Sequence, residues 1–114
     1  MSDFLQQLEK QFPEIYPPAL ENGKYVIYEV LNHFGAYCAL HIEEEKTREI
    51  LNAIDQVYQQ KQLFTCNAIE NEFLSVIALK LGAKDLINHL KKIPKSLWAG
   101  YIKVLIETNK INSP

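Results

Sequence analysis

A chain of 114 residues in which 47% of side chains are apolar and 23% charged has the length and make-up of one globular domain, with a core large enough to fold without a disulfide framework. A formal charge of −2 and a sequence pI near 5.9 argue against a dedicated nucleic-acid-binding domain, and no apolar run is long enough to span a membrane. The opening residues, Met1 to Gln7, lack the basic start and apolar stretch of a secretory signal, so a cytoplasmic protein is expected, with Cys38 and Cys66 as reduced core thiols.

Asp3 with Gln6 has the spacing of a capping box, and Phe4, Leu5, Leu8 and Phe12 recur at helical intervals until Pro13 ends the helix. Pro17-Pro18 and Asn22-Gly23 then punctuate a connection with room for one helical turn. The residue before a proline is pushed out of the helical region, and Asn-Gly favours a turn. Residues 1–22 therefore read as an N-terminal helix and a proline-rich connection.

From Lys24 composition and period disagree. The run Tyr25-Val26-Ile27-Tyr28-Glu29-Val30 has the β-branched and aromatic content of a strand. Ile27, Val30, Leu31, Phe34, Cys38 and Ile42, however, fall within an arc of about 120° when each residue advances by roughly 100°, the buried stripe of a helix. The period predicts a helix. Within it Gly35 costs about 1 kcal/mol relative to alanine, which marks a point where a neighbouring helix comes close.

Glu43-Glu44-Glu45 puts negative charge where a third helix begins, with Ile50, Leu51, Ile54, Val57 and Tyr58 as its inner face. A polar link at Gln59 to Gln62 leads past Leu63-Phe64 to Thr65, an expected N-cap. A fourth helix follows, with Cys66, Ile69, Phe73, Leu74, Ile77 and Leu81 on its apolar face and Gly82 just past its end. Leu86, Ile87, Leu90 and Ile93 mark a fifth helix before Pro94. Ser96 is placed to cap a sixth carrying Leu97, Trp98, Tyr101, Ile102, Leu105 and Ile106, and residues 109–114 are expected to fray. The elements combine into an all-α fold, one compact bundle of five to seven helices with sequential antiparallel neighbours.

Chemistry is sparse. The three histidines, His33, His41 and His89, stand in no metal-binding spacing, and the four isolated glycines build no phosphate-binding loop. Tyr25, Glu29, His33, Tyr37 and His41 recur every four residues, but each such step drifts by about 40°, so they wind along the boundary between core and solvent. That stripe reads as structural, or as a tyrosine-rich binding surface. Ala78 to Leu90 imitates a helix-turn-helix, but Asn88 falls where the second helix of that motif buries an apolar residue. Neither an enzyme nor a cofactor is expected.

Charge is divided along the chain. Residues 1–79 hold five basic and twelve acidic side chains, a balance of −7, whereas residues 80–114 hold seven and two, a balance of +5. Packing either neutralises the two segments against each other or leaves a dipolar surface that steers a charged partner.

The stretches Ile50 to Tyr58 and Cys66 to Ile77, with Asn67, Glu72, Phe73, Leu74 and the later Leu97 as the most telling residues, resemble small helical bacterial proteins. These include apparent immunity proteins of contact-dependent growth inhibition and related polymorphic toxin systems. The resemblance implies a stoichiometric inhibitor that covers the active site of a cognate protein toxin domain, a nuclease above all. It carries over no family site residues. On that reading the acidic balance of the first 79 residues supplies candidate contacts at Glu43, Glu44, Glu45, Glu49, Asp55, Glu70 and Glu72, with Tyr25, Tyr28 and Tyr37 as aromatic anchors. The expected partner is a protein, not nucleic acid or membrane, and the free chain is expected as a monomer or weak homodimer. A helical adaptor module, and a nucleic-acid-binding regulator using the lysines from Lys80 to Lys103, are the competing readings.

Overall fold

The computed structural model describes residues 2–18 and 26–112, and among them every regular element is helical. Helix α1 (Ser2–Gln11) buries Phe4 and Leu8. Asp3 lies inside its first turn, not at the cap, where its charge faces the positive end of the helix dipole. Pro13 ends the helix as expected, because its nitrogen has no hydrogen to continue the ladder. A single turn follows in which the Ile15 and Tyr16 amides both donate to the Phe12 carbonyl, at 3.1 and 2.9 Å. Phe12 and Tyr16 stand edge-on to Phe34, with ring centroids 6.0 and 6.3 Å away, and so pin this segment to the next helix. The Asn22-Gly23 turn lies outside the described residues.

Period prevails over composition in α2 (Val26–Leu40), whose Ile27, Val30, Leu31, Phe34, Gly35, Cys38 and Ala39 are buried. Ile42, expected on the same stripe, falls in the turn after the helix and is only half-buried. A β-carbon on Gly35 would stand 2.8 Å from the Phe73 carbonyl oxygen and 3.2 Å from Val76 Cβ. The helix-breaking residue is there for the close approach that its position predicts.

Helix α3 (Glu45–Tyr58) buries Thr47, Ile50, Leu51, Ile54 and Asp55. Next come α4 (Leu63–Ala68), a π-helical stretch (Ile69–Leu74) and α5 (Ser75–Leu81), continuous as one rod. In the π stretch the Ser75 amide reaches back five residues to the Glu70 carbonyl, the signature of a turn that holds one extra residue. Thr65 is not the N-cap. The rod already begins at Leu63, and Thr65 is buried inside its first turns. The rod ends at Gly82 in the left-handed region, φ +68°, as its expected position past the helix end requires.

α6 (Leu86–Lys92) has no buried residue, and its Ile87 and Asn88 are exposed, so the helix-turn-helix register fails in the fold as well. A short 3₁₀ turn (Lys95–Leu97) begins from Pro94 without a capping bond from Ser96, and it leads into α7 (Trp98–Asn112). The backbone of α7 continues as helix past residue 109, where fraying was expected; residues 113 and 114 lie outside the described set.

The rod of residues 63–81 runs between α2 on one side and α7 on the other, with α3 packed on α2 and α4. Ile69, Phe73, Leu74, Ile77 and Ala78 of the rod are fully buried, and they join Val30, Leu31 and Phe34 of α2 and Tyr101 of α7 in one core. The Cα radius of gyration, 13.5 Å, is what a compact chain of this length gives, about 13 Å. The all-α expectation holds, with the π turn as its unforeseen feature.

Candidate functional site

Two polar arrangements flank the central rod, one inside and one open to solvent. The inner one forms where α3, the π stretch and α7 converge. The Tyr58 hydroxyl donates to Glu70 Oε2 at 2.7 Å, and Lys103 Nζ donates to Glu70 Oε1 at 3.1 Å. Gly100 lets α7 lie against this pair, since a β-carbon there would stand 3.0 Å from the Tyr58 hydroxyl and 3.2 Å from Glu70 Cγ. Burial, reinforced by the bond to Glu70, raises the Tyr58 hydroxyl above its ordinary pKa. The same carboxylate raises the Lys103 ammonium, chiefly through their hydrogen bond. Both therefore keep their protons in the neutral range and serve as fixed donors. Cys66 Sγ donates to the Tyr58 carbonyl at 3.3 Å and is half-buried, not a core residue; desolvation raises its thiol pKa, and more strongly that of the fully buried Cys38. Neither thiol is poised as a thiolate nucleophile.

The open arrangement is a recess between the first turns of α2 and the rod. Tyr28 and Phe64 face one another with centroids 6.2 Å apart and planes tilted by 33°. With Asn67, Ala68, Asn71 and Glu72 they line a cavity of about 240 Å³. The Asn32 side-chain amide donates to the Tyr28 carbonyl and to Glu72 Oε2, each at 2.9 Å, which fixes the carboxylate at the edge of the recess. Among the described residues no lysine, arginine or histidine lies within ion-pair distance of Glu72. Phe64 is 53% exposed and its neighbour Leu63 76% exposed, an unusual display for two adjacent large apolar side chains.

The candidate contacts thus separate into three groups. Tyr28 and Glu72 come together in the recess. Glu43, Glu44, Glu45 and Glu49 form an exposed corner at the start of α3, and each has a basic neighbour: Lys92 at 2.5 Å, His41 at 2.8 Å, Arg48 at 3.6 Å and Lys46 at 3.6 Å respectively. Asp55 leaves the surface and Glu70 largely does. Asp55 is buried and accepts a 2.7 Å bond from Gln59, and Glu70 is only 13% exposed within the inner seam. Tyr37 lies half-buried with its ring 4.4 Å from that of His41, a boundary position as the drifting four-residue period implies. Tyr25 lies outside the described residues. The pairs Lys92–Glu43 and Lys103–Glu70 tie the basic segment to the acidic one, so part of the charge division is neutralised within the fold.

Phe64, Asn32 and Asn71 were not foreseen as site residues. Leu63-Phe64 reads as the lead-in to a cap at Thr65, and nothing in local sequence places Asn32 opposite Glu72, forty residues away. Among the described residues no three His, Cys, Asp or Glu side chains are grouped as a metal site, and no helix is long and apolar enough to cross a membrane.

Fold and surface together define an all-α bundle with an open recess of aromatic, amide and carboxylate groups beside its central rod. The chain belongs to the family described as a domain of unknown function (DUF7674), whose model matches residues 5–108. No curated protein and no solved structure matches it.

Proposed function

We propose that this protein works by binding another polypeptide in fixed stoichiometry, as an immunity protein that occupies and silences a cognate toxin domain. The observation that carries the reading is the face around the recess, where exposed Leu63 and Phe64 adjoin Tyr28 and Glu72, a carboxylate with no cationic partner among the described residues. Apolar side chains displayed beside a polar rim are characteristic of protein interaction sites, and aromatic residues are enriched in them. The resemblance along residues 50–58 and 66–77 supplies the kind of partner. Glu72 and Asn67, two of its most telling residues, both line the recess.

The exposed corner of Glu43, Glu44, Glu45 and Glu49 adds a second, peripheral contribution. Its side chains are solvent-accessible and their present partners are weak surface pairs, so they can be exchanged for basic groups of a nuclease-like toxin during encounter. Contacts of that kind set association rate more than final affinity.

Co-expression with the polypeptide encoded immediately upstream tests the proposal. Relief of growth inhibition, together with co-purification of a one-to-one complex, is the expected result. Growth arrest that persists at full expression of this chain contradicts it.

A further inference from the structure

We propose that the recess between Tyr28 and Phe64 receives a single arginine side chain of the partner polypeptide, its guanidinium on Glu72 and its stem against the two rings. This deepens the reading of the chain as a polypeptide-binding protein and rests on it.

Size restricts the occupant first. At about 240 Å³ the recess lies below the roughly 300–1,000 Å³ typical of small-molecule sites, which suits one long side chain better than a metabolite. Charge restricts it further. The four glutamates of the exposed corner each have a basic group within 4 Å, yet Glu72, more covered than any of them, has none among the described residues. A carboxylate partly withdrawn from water beside two rings is stabilised by a cation, and a cation over an aromatic face gains further attraction from the ring quadrupole.

Geometry distinguishes arginine from lysine. Asn32 occupies Glu72 Oε2, leaving Oε1 without a hydrogen-bond donor among the described residues, and Asn67 and Asn71, each with an amide oxygen able to accept, line the same cavity. Arginine presents five donors in a plane and stacks flat on aromatic faces, so it can use several acceptors at once. A lysine ammonium is a compact point charge with neither property. The π turn contributes as well. Asn71 and Glu72 lie within it, and its extra residue alters the face that the rod presents after α4.

Backbone amide resonances of the full-length chain, followed by NMR during titration with blocked Gly-Arg-Gly, test the site without any toxin. Parallel titrations use Gly-citrulline-Gly, equal in shape but uncharged, and Gly-Lys-Gly. The arginine peptide is expected to shift the amides of Phe64, Asn67, Asn71 and Glu72 and the side-chain amide of Asn32 saturably. The citrulline peptide and the Glu72→Gln variant should each weaken binding about tenfold, the scale of one charge-assisted hydrogen bond, with lysine intermediate. Phe64→Ala, at a largely exposed position, should weaken it without disturbing the fold. No saturable shift at these amides, equal binding of the citrulline peptide, or unchanged affinity in Glu72→Gln overturns the assignment. A toxin complex that forms while the arginine peptide fails would remove this site alone; a peptide that binds while co-expression gives no protection would remove the immunity reading alone.

Discussion

The Tyr58 hydroxyl and the Glu70 carboxylate meet at 2.7 Å across the junction of α3 with the π-helical stretch. This bond takes one of the predicted partner contacts out of the surface and makes it a fastener between elements. Tyr58→Phe leaves Glu70 with Lys103 as its remaining partner, and the half-buried carboxylate loses a donor. A loss of roughly 1–3 kcal/mol in urea denaturation is expected. Lys103→Met should cost less, because Lys103 is 58% exposed and its pair is screened by water.

Gly35→Ala sets helix propensity against packing. In isolation alanine gains about 1 kcal/mol of helix propensity. Here its methyl group would meet the Phe73 carbonyl at 2.8 Å, and backbone cannot swing aside as a side chain can. Overpacking of roughly 1–3 kcal/mol should prevail, so the thermal midpoint falls. A midpoint equal to or above that of the parent chain would show that α2 and the rod are further apart than described.

Alkaline stability provides a third expectation. Tyr101 is fully buried, and burial pushes its hydroxyl up to about 12 from the ordinary 10.0; Tyr58 is raised as well. An unfolded chain releases these protons near the ordinary value while the folded chain still holds them. The stabilisation is therefore complete below pH 10 and is lost as the pH rises toward the folded pKa. For Tyr101 the loss amounts to about 2–3 kcal/mol over that window. Its hydroxyl has no hydrogen-bond partner among the described residues, so Tyr101→Phe should hold or raise stability at neutral pH, by up to about 1 kcal/mol, and flatten the alkaline decline. Urea midpoints taken across the alkaline range for both chains check the two effects together.

Trp98 closes the end of α6. Its indole N–H lies 2.9 Å from the Leu90 carbonyl, which also accepts the Ile93 amide at 3.1 Å, and 2.8 Å from the carbonyl of Ile93, just past the helix end. Trp98→Phe keeps most of the apolar body but deletes the donor. Hydrogen exchange should accelerate in α6, a helix with no buried residue of its own, well before it changes in the central rod.

Much of the architecture is legible in the spacing of apolar residues. The stripe from Ile27 to Cys38 specifies α2 despite its strand-like composition, and Gly35 specifies where a neighbour must approach. Local signals fail where tertiary partners decide. Thr65 has the side chain of a cap, but the helix starts two residues earlier and buries it. The π turn has no local signature in this sequence, since it depends on how Ile69, Phe73 and Leu74 meet the core. Acidity likewise identifies Glu70 and Glu72 equally. Only the convergence of Tyr58, Lys103 and Asn32 sends one inward and holds the other at an open recess.

The binding face itself is tested most directly by calorimetry between this chain and the polypeptide encoded immediately upstream, with Phe64→Ala and Glu72→Gln measured alongside. Both positions contribute little to the core, so unfolding free energies from urea denaturation should stay within about 0.5 kcal/mol of the parent chain. The predicted result is a one-to-one complex that each substitution weakens about tenfold or more. Failure to form a complex, or a complex equally tight with both substitutions in place, would contradict the assignment of this face to a partner.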